Sequence, residues 1–331
     1  MQEPQIRNPE SAHTGPCGRA GRGAEIRNDK LKAWLQLLRA PNLFTVPGDP
    51  LAGFLLALAG TAGASFPVER ALAAAGASLM LYCAGLVHND LCDFQEDCRE
   101  RPTRPLPSGR ISRSAAAIAY ALFALGGVGL AWTNGKSSLT VAVILVLNIV
   151  AYNRYAKRIA VIGPLNMGLC RGLSVLVGAS ALGWPAVGHP AVVVGAAIVT
   201  AYIAAVTSIA SRETAVGRVG ARRNLPACIL AFCFAFFILP GLHPLPNDLG
   251  VWAFVLLCGW GVVWAAWCAV RLGGTPAPRA VQQNIGRLIR GLLIVQAAFC
   301  CLCPWPGLPV AAILVAFWPL SWLVGRWFYA S

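Results

Sequence analysis

The chain alternates long apolar blocks with short polar stretches rich in Pro, Gly and charge. The blocks run to about 15–20 residues, the length of helix needed to cross a hydrocarbon core about 30 Å thick. Inside lipid every backbone N–H and C=O must be satisfied within its own segment, so such blocks have to be helices. The pattern predicts an all-α, polytopic integral membrane bundle of about nine or ten spans. They are placed near 43–61, 71–88, 114–132, 138–152, 163–182, 190–209, 225–241, 250–270, 288–303 and 308–326. Pro47, Asp49 and Pro50 interrupt the start of the first span. A buried helix break facing a cavity explains that interruption, and so does a late helix start.

Composition narrows the class. Of 331 residues 57% are hydrophobic and only 12% charged, against about a quarter charged in a soluble domain. The net charge of +14 does not point to nucleic acid, because Lys and Arg gather in alternate loops rather than on one face. The basic segments are the N-terminal tail to Arg39, 89–113, 153–160, 210–224, 271–287 and the C-terminal end, whereas the opposite set of loops carries only Arg70 and Lys136. Positive charge favours the cytoplasmic side, so both termini and the 89–113 loop are expected inside, in a cell or cytoplasmic membrane. Residues 1–33, polar and without an apolar signal region, read as a disordered cytoplasmic tail, and 34–331 as one transmembrane domain. The twelve cysteines, lying mostly in apolar blocks and lacking metal-ligand spacing, read as small buried apolar residues.

The chemistry gathers in the loop after the second span, HNDLCDFQEDCRERPTRPLPSGRIS, residues 88–112. Asp90, Asp93, Glu96, Asp97 and Glu100 recur at steps of three and four, which places the five carboxylates on one face of a helix with Asn89 at its edge. Carboxylates so close repel each other, and a cation relieves that. Oxygen donors beside arginines suit Mg²⁺ bridging to phosphate oxygens; Arg101, Arg104 and Arg110 follow at once, and the guanidinium fork matches phosphate. The competing reading is a plain solvated acidic face at a membrane edge. The three prolines of RPTRPLPSGR, which stiffen the turn, weigh against it. Asn166 and Arg171 enter the fifth span, where an Arg normally faces a polar cavity. Asp49, by its intramembrane position alone, is a possible acceptor-side acid or base.

Asn-Asp-x-x-Asp-x-x-x-Asp followed by Arg-Pro-x-Arg-Pro-Leu-Pro-Ser-Gly resembles the first aspartate-rich motif of the UbiA superfamily of intramembrane prenyltransferases. The resemblance covers about residues 36–300 and leaves the tail and the last span unexplained, since those enzymes usually have nine spans. It implies that Asn89, Asp93 and Asp97 hold Mg²⁺ on a prenyl diphosphate, with Asp90 beside them. YNRYAKR, residues 152–158, stands where the family carries a Tyr-x-x-x-x-Lys stretch, which makes Lys157 the matching diphosphate-binding residue and Arg154 its support. Basic anchoring of a loop is the alternative for this segment.

The third loop departs from the family. Its second Asp-x-x-x-Asp is expected shortly before Leu225-Pro226; the chain reads SRETAVGRVGARRNLP there. Counting back puts Glu213 at the first aspartate and Gly217 at the second, among Arg212, Arg218, Arg222 and Arg223. In this, and in the stretches 40–53, 163–172 and 202–214, the chain is similar to the EboC branch. The resemblance implies an enzyme that binds a prenyl diphosphate through Mg²⁺, with ligands from Asn89, Asp93, Asp97 and Glu213, and transfers the prenyl group to an aromatic or other lipophilic acceptor. The carbocation would need a dry apolar cavity, expected among spans two to six. The lost aspartate keeps a second reading open: a non-catalytic protein that binds or transports a prenylated lipid for a biosynthetic or export pathway.

Overall fold

The computed structural model describes residues 26–60, 66–210, 219–238, 249–303 and 305–328. These form helices α1 (Ile26–Leu37), α2 (Ala40–Leu43), α3 (Gly48–Ala59), α4 (Val68–Cys92), α5 (Phe94–Glu100), α6 (Arg113–Thr133) and α7 (Lys136–Arg154). There follow α8 (Ile162–Ser180), α9 (Trp184–Val187), α10 (Pro190–Ala210), α11 (Leu225–Ile238), α12 (Leu249–Arg271), α13 (Pro278–Cys301) and α14 (Gly307–Phe328). Among the described residues there is no strand, and nine helical segments are long and apolar enough to span a membrane, α2 and α3 together making the first. The protein is an all-α integral membrane bundle. Of the expected span at 225–241 the described part is α11, Leu225–Ile238; residues 239–241 fall outside the described residues. Residues 26–33, assigned to the tail from sequence, begin α1, and Ala33 is fully buried.

The helices sort into inner and outer ones. The spanning part of α13 is 83% buried and that of α6 only 17%. Along α6, Ile118, Leu122, Leu125 and Trp132 are exposed, as residues that meet lipid rather than protein must be. The innermost contacts depend on small residues. On α8, a Cβ at Gly168 or Gly172 would run into the α10 backbone and Thr200, so this Gly-x-x-x-Gly pair is what lets the two helices pack.

The interruption in the first span is a buried helix break. Between α2 and α3 the chain leaves the helical path, and Thr45 and Val46 are each only 1% exposed. The Thr45 carbonyl, freed from helical bonding, accepts from Arg171 Nη2 of α8 and from Gln296 Nε2 of α13, each at 2.8 Å. Side chains from neighbouring helices thereby satisfy the break, as a bilayer interior requires. Asp49 completes this cluster: Gln296 Nε2 donates to its Oδ1 at 2.5 Å. Arg171 Nε lies 2.7 Å from its Oδ2, a charge contact without the alignment of a hydrogen bond.

Candidate functional site

The acidic loop continues the helix it leaves. Asp93 interrupts α4 and α5, yet its N–H still bonds the Asn89 carbonyl at 2.9 Å and the Asp97 N–H bonds the Asp93 carbonyl at 2.8 Å. The helical phase therefore carries through, and Asp90, Asp93 and Asp97 fall on the face turned into the protein. Asp90 and Asp97 are 7% and 5% exposed, while Glu96 and Glu100 are exposed to solvent. The five-carboxylate face expected from spacing is thus three inward aspartates and two solvated glutamates. Steps of three and four spread residues over more than 100° of a helix, and only the inner part of that arc faces other protein.

The turn following the aspartates is folded around them. Arg104 Nη1 lies 3.0 and 2.7 Å from the two Asp97 carboxylate oxygens. The Pro-rich turn that carries Arg104 is pinned by buried Leu106 and Ile111 and closed at Gly109, whose φ of 75° suits a residue without a Cβ. Arg110 does not reach into the site. It braces the turn instead, donating to Thr103 O at 2.8 Å, Gln36 Oε1 at 2.8 Å and Ser108 Oγ at 3.1 Å. Arg101 is exposed. At the start of α6 the Arg113 guanidinium stands 4.7 Å from the Phe94 ring centroid, holding α5 in place.

The second loop meets the first. Lys157, on the short 3₁₀ turn Ala156–Arg158, forms an ion pair with Asp93. A buried polar contact sets that approach: Asn153 Nδ2 donates to the Gly85 carbonyl and sits 3.1 Å from His88 Nδ1. The His88 ring stacks on Tyr120 at 4.9 Å. Arg154 is exposed. Asn153 and His88 lie in the two loop motifs, yet nothing in their spacing distinguishes them.

Other expected site residues lie elsewhere. Asn166 is half-buried in α8; its backbone carbonyl accepts from Asn148 Nδ2 at 3.2 Å, and its own Oδ1 is buried without a hydrogen-bond partner among the described residues. Asp49 and Arg171 are not a free acid and a free cation but partners in the cluster that caps the helix break. Arg212 and Glu213, on the third loop, fall outside the described residues. Among the described residues no three His, Cys, Asp or Glu side chains converge as a ready-made metal site. A small apolar recess lies between α10, α11, α12 and α13, lined by residues such as Ile198, Leu230, Phe254 and Phe299; of the spans expected to form the cavity it involves only α10.

Comparison with known proteins agrees with this arrangement of helices and loops. The digeranylgeranylglyceryl phosphate synthase of Methanosarcina barkeri is 30% identical over 162 residues, 46% of this chain and 56% of that protein. The chain thus spans about half the length of the curated relatives it matches. Among solved structures, a UbiA homologue from Aeropyrum pernix superposes with a TM-score of 0.59 at 17% identity, covering 78% of this chain and 96% of that one. A UbiA homologue from Archaeoglobus fulgidus, bound to GPP and Mg²⁺, gives 0.57 at 15% identity over 87% and 99%. These likenesses establish the fold. The sequence model of the UbiA prenyltransferase family matches residues 51–288, well over half the chain, and the protein belongs to that family.

Proposed function

We propose that the protein binds a prenyl diphosphate between the α4–α5 junction and the loop after α7, and transfers its prenyl group to a lipophilic acceptor within the membrane. One observation carries this reading: Lys157 and Asp93, 64 positions apart in sequence, are brought together as an ion pair at one end of the bundle. A lysine and an aspartate paired at the rim of a membrane bundle, with Arg104 and two further inward aspartates beside them, offer both signs of charge to a ligand that brings its own anion and cation.

The donor chemistry fits Mg²⁺. Asn89, Asp90, Asp93 and Asp97 are hard oxygen donors, and this ion is usually held by one or two carboxylates, the remaining positions going to phosphate oxygens and water. That explains why a preformed cluster of three is unnecessary. When bound, the metal supplies neutralising charge to the diphosphate, and these four residues would hold it. Lys157 and Arg104 would then turn from their carboxylates to the diphosphate oxygens, where negative charge builds as the allylic C–O bond breaks and its electron pair leaves with the diphosphate. Cations already in place at that point lower the barrier without reorganising solvent. The acceptor's electron pair attacks the prenyl C1 and the acceptor gives up a proton. The aspartate-rich side is the cytoplasmic one in this proposal, by the distribution of Lys and Arg. The relative from Archaeoglobus fulgidus, whose structure holds GPP and Mg²⁺, supports the substrate class.

A second reading is favoured by the third loop, which lacks the family's second aspartate pair, as in the EboC-like branch that 40–53, 163–172 and 202–214 resemble. A protein of that kind would bind a prenylated compound without cleaving it. Reconstituted protein incubated with Mg²⁺ and labelled geranyl, farnesyl or geranylgeranyl diphosphate separates the two. Pyrophosphate released by the native chain and abolished in Asp93→Ala/Asp97→Ala establishes the enzyme. Retained label with no release establishes the carrier. Neither, from folded protein, removes the prenyl diphosphate.

A further inference from the structure

The last three helices carry positive charge with nothing of their own to balance it. From residue 249 to the end the chain has five arginines and no Asp or Glu. Among the described residues none of Arg271, Arg287 and Arg326 forms an ion pair. They rest on tryptophans instead. The guanidinium of Arg271 stands 4.5 Å and that of Arg287 5.2 Å from the centroid of one ring, Trp267. Arg326 stands 4.3 Å from the Trp322 ring. Two like charges, one from α12 and one from α13, are thus held within about a Debye length of each other, and contact with an aromatic face offsets their repulsion only in part. Arg287 is fixed in this place: its Nη1 donates to Asn284 Oδ1 at 3.1 Å, and its backbone carbonyl accepts from Trp264 Nε1 at 3.1 Å.

The rings continue down the bundle. As successive spans alternate in direction, α12 and α14 run the same way with α13 returning between them. Their side chains meet: Trp318 of α14 stands edge-on to Trp260 and Trp264 of α12, with centroids 5.4 and 5.0 Å apart. Trp264 stacks on Trp267 at 5.0 Å and lies over Gly291 of α13, where a Cβ would come 3.0 Å from its ring. About two turns beyond the Trp264–Trp318 contact, each helix reaches its arginine, Arg271 or Arg326. On the outer side of α12, Trp260, Val263, Trp267 and Val270 are exposed, as a face covered by acyl chains is. Charge at the rim, indole rings beneath it and an apolar strip below them match a lipid with an anionic headgroup. Basic pockets between spanning helices bind such headgroups, and the guanidinium fork fits phosphate oxygens. We propose that α12, α13 and α14 hold an anionic phospholipid, its phosphodiester on Arg271 and Arg287 with Arg326 at the same level, and its acyl chains along the tryptophans of α12. The lipid supplies the negative charge that these helices lack. This site shares no residue with the aspartate-rich one, and stands or falls without the prenyl diphosphate.

Full-length protein in a neutral detergent is titrated with phosphatidylglycerol, or with phosphatidylcholine of the same acyl chains, and bound lipid is counted by native mass spectrometry. The native chain is expected to retain phosphatidylglycerol in preference to phosphatidylcholine. Arg271→Gln and Arg287→Gln should each weaken phosphatidylglycerol about fivefold, and the double variant about twentyfold, with phosphatidylcholine binding and the Tm in phosphatidylcholine unchanged. Arg271→Lys should regain part of the loss. The exposed Arg279, at the start of α13, is the control, and Arg279→Gln should keep the native affinity. An equal loss in Arg279→Gln would show that only overall positive charge counts, and would overturn the site. So would a native chain without preference between the two lipids. Asp93→Ala/Asp97→Ala should hold the lipid as the native chain does. Displacement of the lipid by geranyl diphosphate and Mg²⁺ would give these arginines to the diphosphate and sink the proposal.

Discussion

Two ionic clusters in this protein use the same residue types for opposite ends. In the deep cluster Asp49 is fully buried, Arg171 nearly so, and both belong to the interior of spanning helices. Its cation and amide converge on one backbone carbonyl, that of Thr45, and the aspartate balances the charge they bring. At the edge of the bundle the pairs Asp93–Lys157 and Asp97–Arg104 remain partly open to solvent, and among the described residues these side chains bond no backbone carbonyl as Arg171 and Gln296 do. The deep cluster is closed by what it holds together; in the proposed function the edge pairs are exchanged for a ligand. The sharpest way to break this comparison is Asp49→Ala, which strands a buried guanidinium. Stranding one partner of a buried pair costs about 3–5 kcal/mol, so a large fall in Tm in nanodiscs is expected, with lost activity following lost fold. A variant as stable as the native chain would refute the capping role and reopen Asp49 as an acid or base.

The edge pairs should respond the other way. Lys157→Ala and Asp93→Ala each remove one member of a partly exposed ion pair, worth about 1 kcal/mol or less in stability. Removing a preorganised charge-stabilising group costs catalysis about 2.7–4 kcal/mol, a hundredfold or more. Pyrophosphate release is therefore expected to fall by at least about a hundredfold while the unfolding curve barely moves. Loss of stability and activity in parallel would make this pair structural, like the deep one.

Between these extremes stands Asn153, which joins the ends of α7 and α4 through Gly85 and His88. Asn153→Ala leaves the Gly85 carbonyl without this donor and His88 Nδ1 without its neighbour, a cost of about 1–3 kcal/mol. If its further effect is to aim Lys157, activity drops about tenfold in the native background and little more in Lys157→Ala, since groups acting as one unit are not additive. Equal losses in both backgrounds would show that Asn153 contributes to the fold alone.

The sequence reveals the bundle because lipid leaves few choices: a run of about 20 apolar residues has to be a helix. It reveals the aspartate motif because its spacing is local, whereas Lys157 stands out only through the resemblance of 152–158 to the family's Tyr-x-x-x-x-Lys stretch. What it hides is which partner each charge takes. Arg104, Arg110 and Arg101 are equivalent as residue types, yet one faces Asp97, one braces a turn and one is exposed. Asp49 and Arg171 stand far apart in the chain, and no periodicity announces that both serve a broken helix whose carbonyl also takes Gln296.

The smallest predicted effect sharpens the comparison within the acidic helix itself. By spacing, Glu96 and Glu100 belong with the aspartates; by packing, they point to solvent while Asp90 and Asp97 are buried. Exposed substitutions away from any partner usually shift stability by about 0.5 kcal/mol or less. Their influence on a bound cation is that of screened charges about a helical turn away. Glu96→Gln and Glu100→Gln, alone or together, are thus expected to leave Tm and the Mg²⁺ dependence of diphosphate binding almost unchanged, whereas Asp93→Asn shifts that dependence to higher Mg²⁺. Isothermal titration of these variants at two ionic strengths decides it. If the glutamine variants lose as much as Asp93→Asn, the whole acidic arc works as one surface and the division into inward and outward carboxylates carries no functional meaning. If their small effect vanishes at the higher salt while that of Asp93→Asn persists, the inward face alone holds the ion and the outer carboxylates only shade its field.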